Sequence, residues 1–122
     1  MDVKACYKKM DGNYEEAVRL MGSDERIIKY LKMFQRDTNF NVLCSAVNDN
    51  DFKTAFNAAH TLKGVALNLS LTSLADRIKE LTEMLRSGIP VQGIVPLLQK
   101  TKRTYSWVLE CINTLINDQL KG

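Results

Sequence analysis

The residues best suited to chemistry in this chain are grouped around its only histidine, His60. Lys63 and Gly64 follow it by three and four residues, so in a helix they lie one turn further along. Near pH 7 a substantial fraction of imidazole is neutral and has a free ring nitrogen that can accept a phosphoryl group. The ammonium group of a nearby lysine is suited to the anion that such a transfer would leave on the histidine.

Gly64 affects how accessible the imidazole would be. Helical side chains lean toward the N-terminus, so a larger residue at position 64 would cover the ring of His60. Glycine leaves the ring uncovered, although it costs a helix interior about 0.5–1 kcal/mol relative to alanine. We interpret Gly64 as giving a large partner access to the ring. The alternatives are a close helix-packing contact for Gly64, a solvated charge for Lys63 and an incidental surface position for His60.

The apolar pattern around His60 predicts the helix that positions it. Between residues 51 and 69, apolar residues recur at spacings of three and four and form one stripe: Phe52, Ala55, Phe56, Ala59, Leu62, Ala66 and Leu69. Asp51 is the predicted N-cap of this helix. His60 lies about 120° from the centre of the stripe, so we expect its ring to project toward solvent.

The remaining segments show the same spacing and no strand alternation. They predict a short helix over residues 2–9, a second opened by a capping box at Asn13, and a third over 24–36 that packs lengthwise on the histidine helix. Further helices are predicted over about 39–48, after Ser70 and from Pro96 to about residue 118. The predicted fold is an all-α antiparallel four-helix bundle with short additional N-terminal helices.

We expect one domain, residues 1–122, with residues 1–22 as an N-terminal helical lid and 23–120 as the bundle. The short connection at Ser70 makes the helix after it an antiparallel partner of the histidine helix. This pairing places Thr82 and Arg86 near the level of His60, where both are candidate supports for a phosphoryl group. Ordinary solvated helix positions are the equal alternative for Thr82 and Arg86.

Two more residues of the histidine helix are candidates for contact with a partner. Lys53 would contribute to a basic patch around the histidine. Leu67 flanks His60 by helical angle and would form an exposed apolar rim. Phe56 also flanks His60, but we assign it to the core.

The segment Ala59-His60-Thr61-Leu62-Lys63-Gly64, with Asn68-Leu69 beyond it, resembles the signature of histidine phosphotransfer (HPt) domains. Gly12-Asn13-Tyr14-Glu15-Glu16 near the start fits the same family, and the resemblance extends from about residue 2 into the last helix. Two positions differ. Ser70 stands where the family often has glycine, and Leu67 stands where it commonly has a small residue.

The resemblance implies a phosphocarrier that shuttles a phosphoryl group between His60 and the aspartates of response-regulator receiver domains, with no kinase activity of its own. It implies receiver domains and a hybrid sensor histidine kinase as partners. Mg²⁺ is expected on the receiver, and no cofactor or metal on this chain. The alternative is a pseudo-HPt, a non-catalytic helical module that binds receivers without being phosphorylated. The intact set of His60, Lys63 and Gly64 favours the carrier.

Composition excludes several other classes of protein. The net charge is only +3, with seventeen basic residues interleaved among fourteen acidic ones, so no broad nucleic-acid-binding patch is predicted. A single histidine and three widely spaced cysteines do not provide a zinc site or a catalytic triad. No phosphate-binding glycine loop is present, and no apolar run is long enough for a membrane helix. We expect a cytoplasmic monomer.

Overall fold

A computed structural model of the chain describes residues 1–121. Seven α-helices lie in this range: α1 (Val3–Lys9), α2 (Tyr14–Met21), α3 (Asp24–Gln35), α4 (Asn39–Asn48), α5 (Phe52–Asn68), α6 (Thr72–Leu85) and α7 (Ile94–Lys121). No strand occurs among the described residues. The prediction of an all-α helical bundle is confirmed. The division into a lid at 1–22 and a bundle at 23–120 stays a prediction.

The bundle is centred on α5, which packs against α4 on one side and α6 on the other, while α6 packs against α7. Short turns connect α4 to α5 and α5 to α6, so consecutive helices run antiparallel. The core between these helices is fully buried at Leu43, Leu62, Ile78 and Ile112. No helix within residues 1–121 is both long enough and apolar enough to cross a membrane.

The position of α3 differs from the prediction that it packs lengthwise on the histidine helix. In the structure α3 packs mainly against α7 and also contacts α1 and α2. Phe34 of α3 contacts Tyr105 of α7 edge to face, with 5.7 Å between ring centroids. The prediction is wrong because α4, although short, follows α3 directly and already covers α5 with the buried side chains of Phe40 and Leu43.

The N-terminus of α5 is fixed by the residue that the sequence predicts. Asp51 Oδ1 accepts a hydrogen bond from the backbone N–H of Thr54 at 3.2 Å, and Asp51 Oδ2 accepts one from the Thr54 hydroxyl at 2.7 Å. These contacts satisfy one of the free N–H groups that every helix start exposes. The helix that carries the histidine therefore begins at a defined residue.

The C-terminal end of α5 is held by the N-terminal segment. Tyr7 donates its hydroxyl to the carbonyl of Leu69 at 2.8 Å, and the N–H of Asn13 donates to the carbonyl of Ser70 at 2.9 Å. The Ser70 hydroxyl donates to the carboxylate of Glu16 at 3.2 Å. The capping box is therefore only half formed: Asn13 Oδ1 accepts from the N–H of Glu16 at 3.0 Å, but the Glu16 carboxylate accepts from Ser70 instead of reaching back.

Candidate functional site

His60 lies in the middle of α5 and is exposed, as the helical spacing predicts. The opposite side of α5 is buried, and Ala55, Ala59, Leu62 and Ala66 have no exposed surface. The apolar stripe thus fixes the rotation of the helix, and that rotation turns the imidazole outward.

Gly64, one turn after His60, faces open space. A Cβ atom built at this position has no heavy atom within 4 Å beyond the backbone of its own helix. This observation excludes the alternative in which Gly64 permits a close helix-packing contact. Any side chain at position 64 would lean back toward His60, so the glycine leaves that side of the ring uncovered.

Lys63 is partly exposed beside the histidine, and no ion pair within residues 1–121 includes it. Its charge acts on the carboxylate of Glu83 on α6. The hydrogen bonds from Arg86 are the main cause that lowers the pKa of Glu83, and the charges of Lys63 and Lys79 lower it further. Positive charge from three side chains therefore acts on this one carboxylate.

The aromatic ring of Phe56 lies between Arg86 and His60 and contacts both. Its guanidinium carbon lies over the ring of Phe56, 5.3 Å from the centroid. The Phe56 ring in turn stacks on the imidazole of His60, with 6.0 Å between centroids and 26° between planes. Phe56 is partly buried: it packs against the core, as the sequence predicted, and it also lies between Arg86 and His60.

Thr82 is placed differently from the other candidate residues. Its side chain is fully buried, and its hydroxyl donates to the carbonyl of Ile78, one turn earlier in α6, at 2.7 Å. A fully buried hydroxyl cannot contact a group attached to the exposed ring of His60. The structure therefore excludes Thr82 as a direct support of a phosphoryl group.

Lys53 and Leu67 lie on the same face of α5 as His60. One precedes the histidine by seven residues and the other follows it by seven, so each is about 10 Å away along the helix axis. Both are exposed, and Leu67 keeps 54% of its surface accessible. Their predicted contact with a partner is compatible with this placement and stays a prediction.

The sequence did not indicate a groove at the C-terminal end of α5. A cavity of about 580 Å³ opens there between α5, α2 and α3. It is lined by Leu20, Met21, Arg26, Tyr30, Met33, Phe34, Asp37, Val65, Asn68 and Leu69. Two of the lining residues, Leu20 and Met33, are large apolar side chains that remain 50% and 60% exposed. Apolar residues outside the inner faces of α2 and α3 are the pattern that could have indicated this groove.

The three cysteines are free thiols, and Cys6 and Cys111 are buried. Burial raises the pKa of the Cys6 thiol to about 12, so the thiol stays protonated and unreactive near neutral pH. Within residues 1–121 no group of three or more histidine, cysteine, aspartate or glutamate side chains is arranged to hold a metal ion.

A helical bundle that exposes one histidine, followed by a lysine and an uncovered glycine, defines a module suited to accept and release a phosphoryl group. The family model described as Hpt domain matches residues 30–104, which is more than half of the chain and includes α4, α5 and α6. The chain belongs to the Hpt domain family. No curated protein and no solved structure matches the chain.

Membership of this family supports a phosphotransfer role in two-component signalling. Hpt domains are phosphocarrier modules and not catalysts, and they interact with two-component partners such as receiver domains and kinases. The matched segment contains each residue that the sequence singled out for the site: His60, Lys63, Gly64, Thr82, Arg86, Lys53 and Leu67.

Proposed function

We propose that this chain is a histidine-containing phosphotransfer protein that shuttles a phosphoryl group between His60 and the aspartates of response-regulator receiver domains. The observation that carries the proposal is the exposed imidazole of His60 beside the open space at Gly64. A partner as large as a receiver domain needs this access, because its aspartate must come within bonding distance of the ring nitrogen.

In the proposed reaction, a free ring nitrogen of His60 attacks the phosphorus of an aspartyl phosphate. A P–N bond forms as the P–O bond to the aspartate breaks, and the carboxylate leaves with the bonding electron pair. The reverse step restores the free imidazole and passes the phosphoryl group to a second aspartate. The chain needs no kinase activity of its own for either step.

Charge and position supply most of the catalysis in phosphoryl transfer. In the proposed complex the receiver holds Mg²⁺, and this chain contributes Lys63 and the cation of Arg86. Lys53 adds positive charge further along the same face, and Leu67 provides an apolar rim. Receivers resemble one another in presenting clustered acids beside an apolar helix surface, so these features are complementary. Such an interface is expected to be small and transient, with charge setting the encounter rate.

The test is to incubate the protein with a panel of receivers that carry phosphate on their aspartates. The parent protein should take the label, whereas His60→Gln should fold normally, judged by its circular dichroism and melting temperature, and take none. Label on His60→Gln would show that His60 is not the acceptor. A parent protein that binds receivers but is never labelled by them would support the pseudo-HPt alternative instead.

A further inference from the structure

We propose that Glu83 is a positioning residue of this phosphotransfer site. In the unphosphorylated protein its carboxylate accepts hydrogen bonds from Arg86, a cation that the phosphoryl group needs. The arriving phosphoryl group displaces Glu83 from Arg86. The inference rests on the proposed function, because it concerns how His60 receives its phosphoryl group. It adds a residue that the proposed reaction does not use.

The first observation is the geometry of the ion pair. Arg86 Nε donates to one carboxylate oxygen of Glu83 at 3.1 Å, and a terminal guanidinium nitrogen donates to the other at 2.9 Å. Two parallel hydrogen bonds fix the plane of the guanidinium as well as its position. Both side chains are more than half exposed, so the pair is weak enough to exchange for a stronger anion.

The second observation is where this pair holds the guanidinium. Arg86 rests on one residue, Phe56, whose ring stacks on the imidazole of His60. Arginine favours such contact with an aromatic face. Glu83 and Phe56 together therefore hold the guanidinium over the ring that stacks on the imidazole, and Arg86 must leave Glu83 before it can contact a phosphoryl group on His60.

The third observation is the balance of charge. Lys63, Lys79 and Arg86 all lower the pKa of Glu83, so the field at this carboxylate is positive. A phosphoryl group brings a charge of about −1.5 to −2, so it attracts Arg86 more strongly than a carboxylate of charge −1. Glu83 thus offsets part of this positive charge before transfer, and the phosphoryl group can take its place on Arg86.

The same helix offers a matched control. Arg77 and Glu80 form another exposed ion pair with a separation of three residues, at 3.3 Å. Glu80 lies one turn before Glu83, and its hydrogen bond comes from Arg77, whereas both side-chain hydrogen bonds of Arg86 go to Glu83. Neutralising Glu80 changes the net charge of the protein by the same amount as neutralising Glu83 and also breaks an ion pair, but it leaves Arg86 paired with Glu83.

The experiment compares the parent protein with Glu83→Gln and Glu80→Gln, using ammonium phosphoramidate as a small anionic phosphoryl donor. The donor passes its phosphoryl group to a ring nitrogen of His60; its own P–N bond breaks and ammonia leaves. Without the Glu83 carboxylate, Arg86 is free to contact the transferred group, so the initial rate of labelling of Glu83→Gln should rise about threefold. Glu80→Gln should label at the parent rate. An unchanged or slower rate for Glu83→Gln would overturn the proposal.

A second measurement does not depend on covalent labelling. Inorganic phosphate is titrated into each protein while the amide signal of Gly64 and the Nε–H signal of Arg86 are followed by NMR. Phosphate should shift the Arg86 signal in the parent, as the guanidinium leaves Glu83, and it should bind several-fold more tightly to Glu83→Gln than to Glu80→Gln. Equal affinities of the two variants would overturn the proposal.

Failure of this inference is distinguishable from failure of the proposed function. Neither phosphoramidate nor inorganic phosphate requires a receiver domain, so both measurements report on Glu83 even if receivers never label His60. Conversely, a parent protein that accepts phosphate from receivers, together with a Glu83→Gln variant that labels with phosphoramidate like the parent, would leave His60 as the acceptor and remove the role of Glu83.

Discussion

Two glycines show how differently the middle and the end of α5 are built. Gly64, beside His60, has open surroundings, and a Cβ added there would meet no heavy atom within 4 Å. Gly12 packs against the turn after α5 and has the opposite surroundings: a Cβ there would lie 2.9 Å from the carbonyl oxygen of Ser70 and 2.9 Å from the ring of Tyr7. One glycine keeps space open for a partner, and the other lets two segments of the chain approach each other.

The ends of α5 and its middle therefore have different roles. Hydrogen bonds from Tyr7 and Asn13 hold the end of α5, and Asp51 caps its start. Between these points the outer face is exposed. Transfer between two proteins requires the acceptor atom to be both accessible and held in place, because a misplacement of about 1 Å can cost about 100-fold in rate. A helix fixed at its ends and open in its middle meets both needs.

The sharpest way to break this comparison is to close the open region. Gly64→Gln places a side chain over His60, and we expect transfer from receivers to fall about 100-fold or more. Glutamine is the better helix former, so the free energy of unfolding should rise by about 0.5–1 kcal/mol. Transfer rates and urea unfolding curves of the same preparations test both expectations.

Gly64→Ala provides the control for this variant. Its single methyl group should stabilise the helix to a similar extent while obstructing the ring far less, so most of the transfer rate should survive. If Gly64→Gln lowers the melting temperature markedly, then position 64 is a packing site and the contrast with Gly12 disappears.

The converse change is to crowd the closed region. Gly12→Ala forces the new methyl group against a backbone carbonyl and the buried ring of Tyr7, neither of which can move away freely. Overpacking of this kind costs about 1–3 kcal/mol, which we expect to see as a lower free energy of unfolding in urea. The rate of transfer per folded molecule should stay near that of the parent. A stability equal to the parent's would show that the turn after α5 is not tightly held.

Lys63→Ala tests whether the open face contributes charge as well as access. A charge-assisted contact to a phosphate oxygen is typically worth about 1.5–3 kcal/mol, so transfer should slow by about one to two orders of magnitude. The melting temperature should change little, because no ion pair within residues 1–121 includes this side chain. The rate is measured by quenching the transfer from a labelled receiver at timed intervals. Kinetics equal to the parent's would show that Lys63 is an ordinary solvated residue.

Local pattern was sufficient to predict most of the features of α5. The spacing of its alanines and leucines gave its rotation, and that rotation was enough to expose His60. Asp51 was recognisable as a cap because the residue type and its place before an apolar stripe depend only on neighbours in sequence. The family resemblance was carried by the same short segment, 59–64.

Contacts between distant segments were not predictable in the same way. The packing of α3 on α7 depends on which helix covers α5 first, and spacing within α3 does not encode that competition. The stacking of Arg86 on Phe56 likewise depends on how α6 lies beside α5. Thr82, however, could have been assigned correctly: it follows the buried Ile78 by four residues and so shares its apolar face.

The smallest expected effect concerns the start of α5, where Asp51→Asn keeps the capping oxygen but removes its charge. The hydrogen bond from the Thr54 side chain, followed by that from the Thr54 backbone, lowers the pKa of Asp51 in the folded protein. A lowered pKa contributes stability above the pKa of the unfolded chain, and this contribution is lost as the pH falls through the folded value. Asparagine caps about as well as aspartate, so the two proteins should have similar free energies of unfolding at pH 7. Between pH 5 and pH 2.5 the parent should lose more stability than Asp51→Asn, measured by urea unfolding at each pH. Identical losses would show that the ionised cap does not hold this end of α5, and that the helix bearing His60 is fixed mainly at the turn around Gly12.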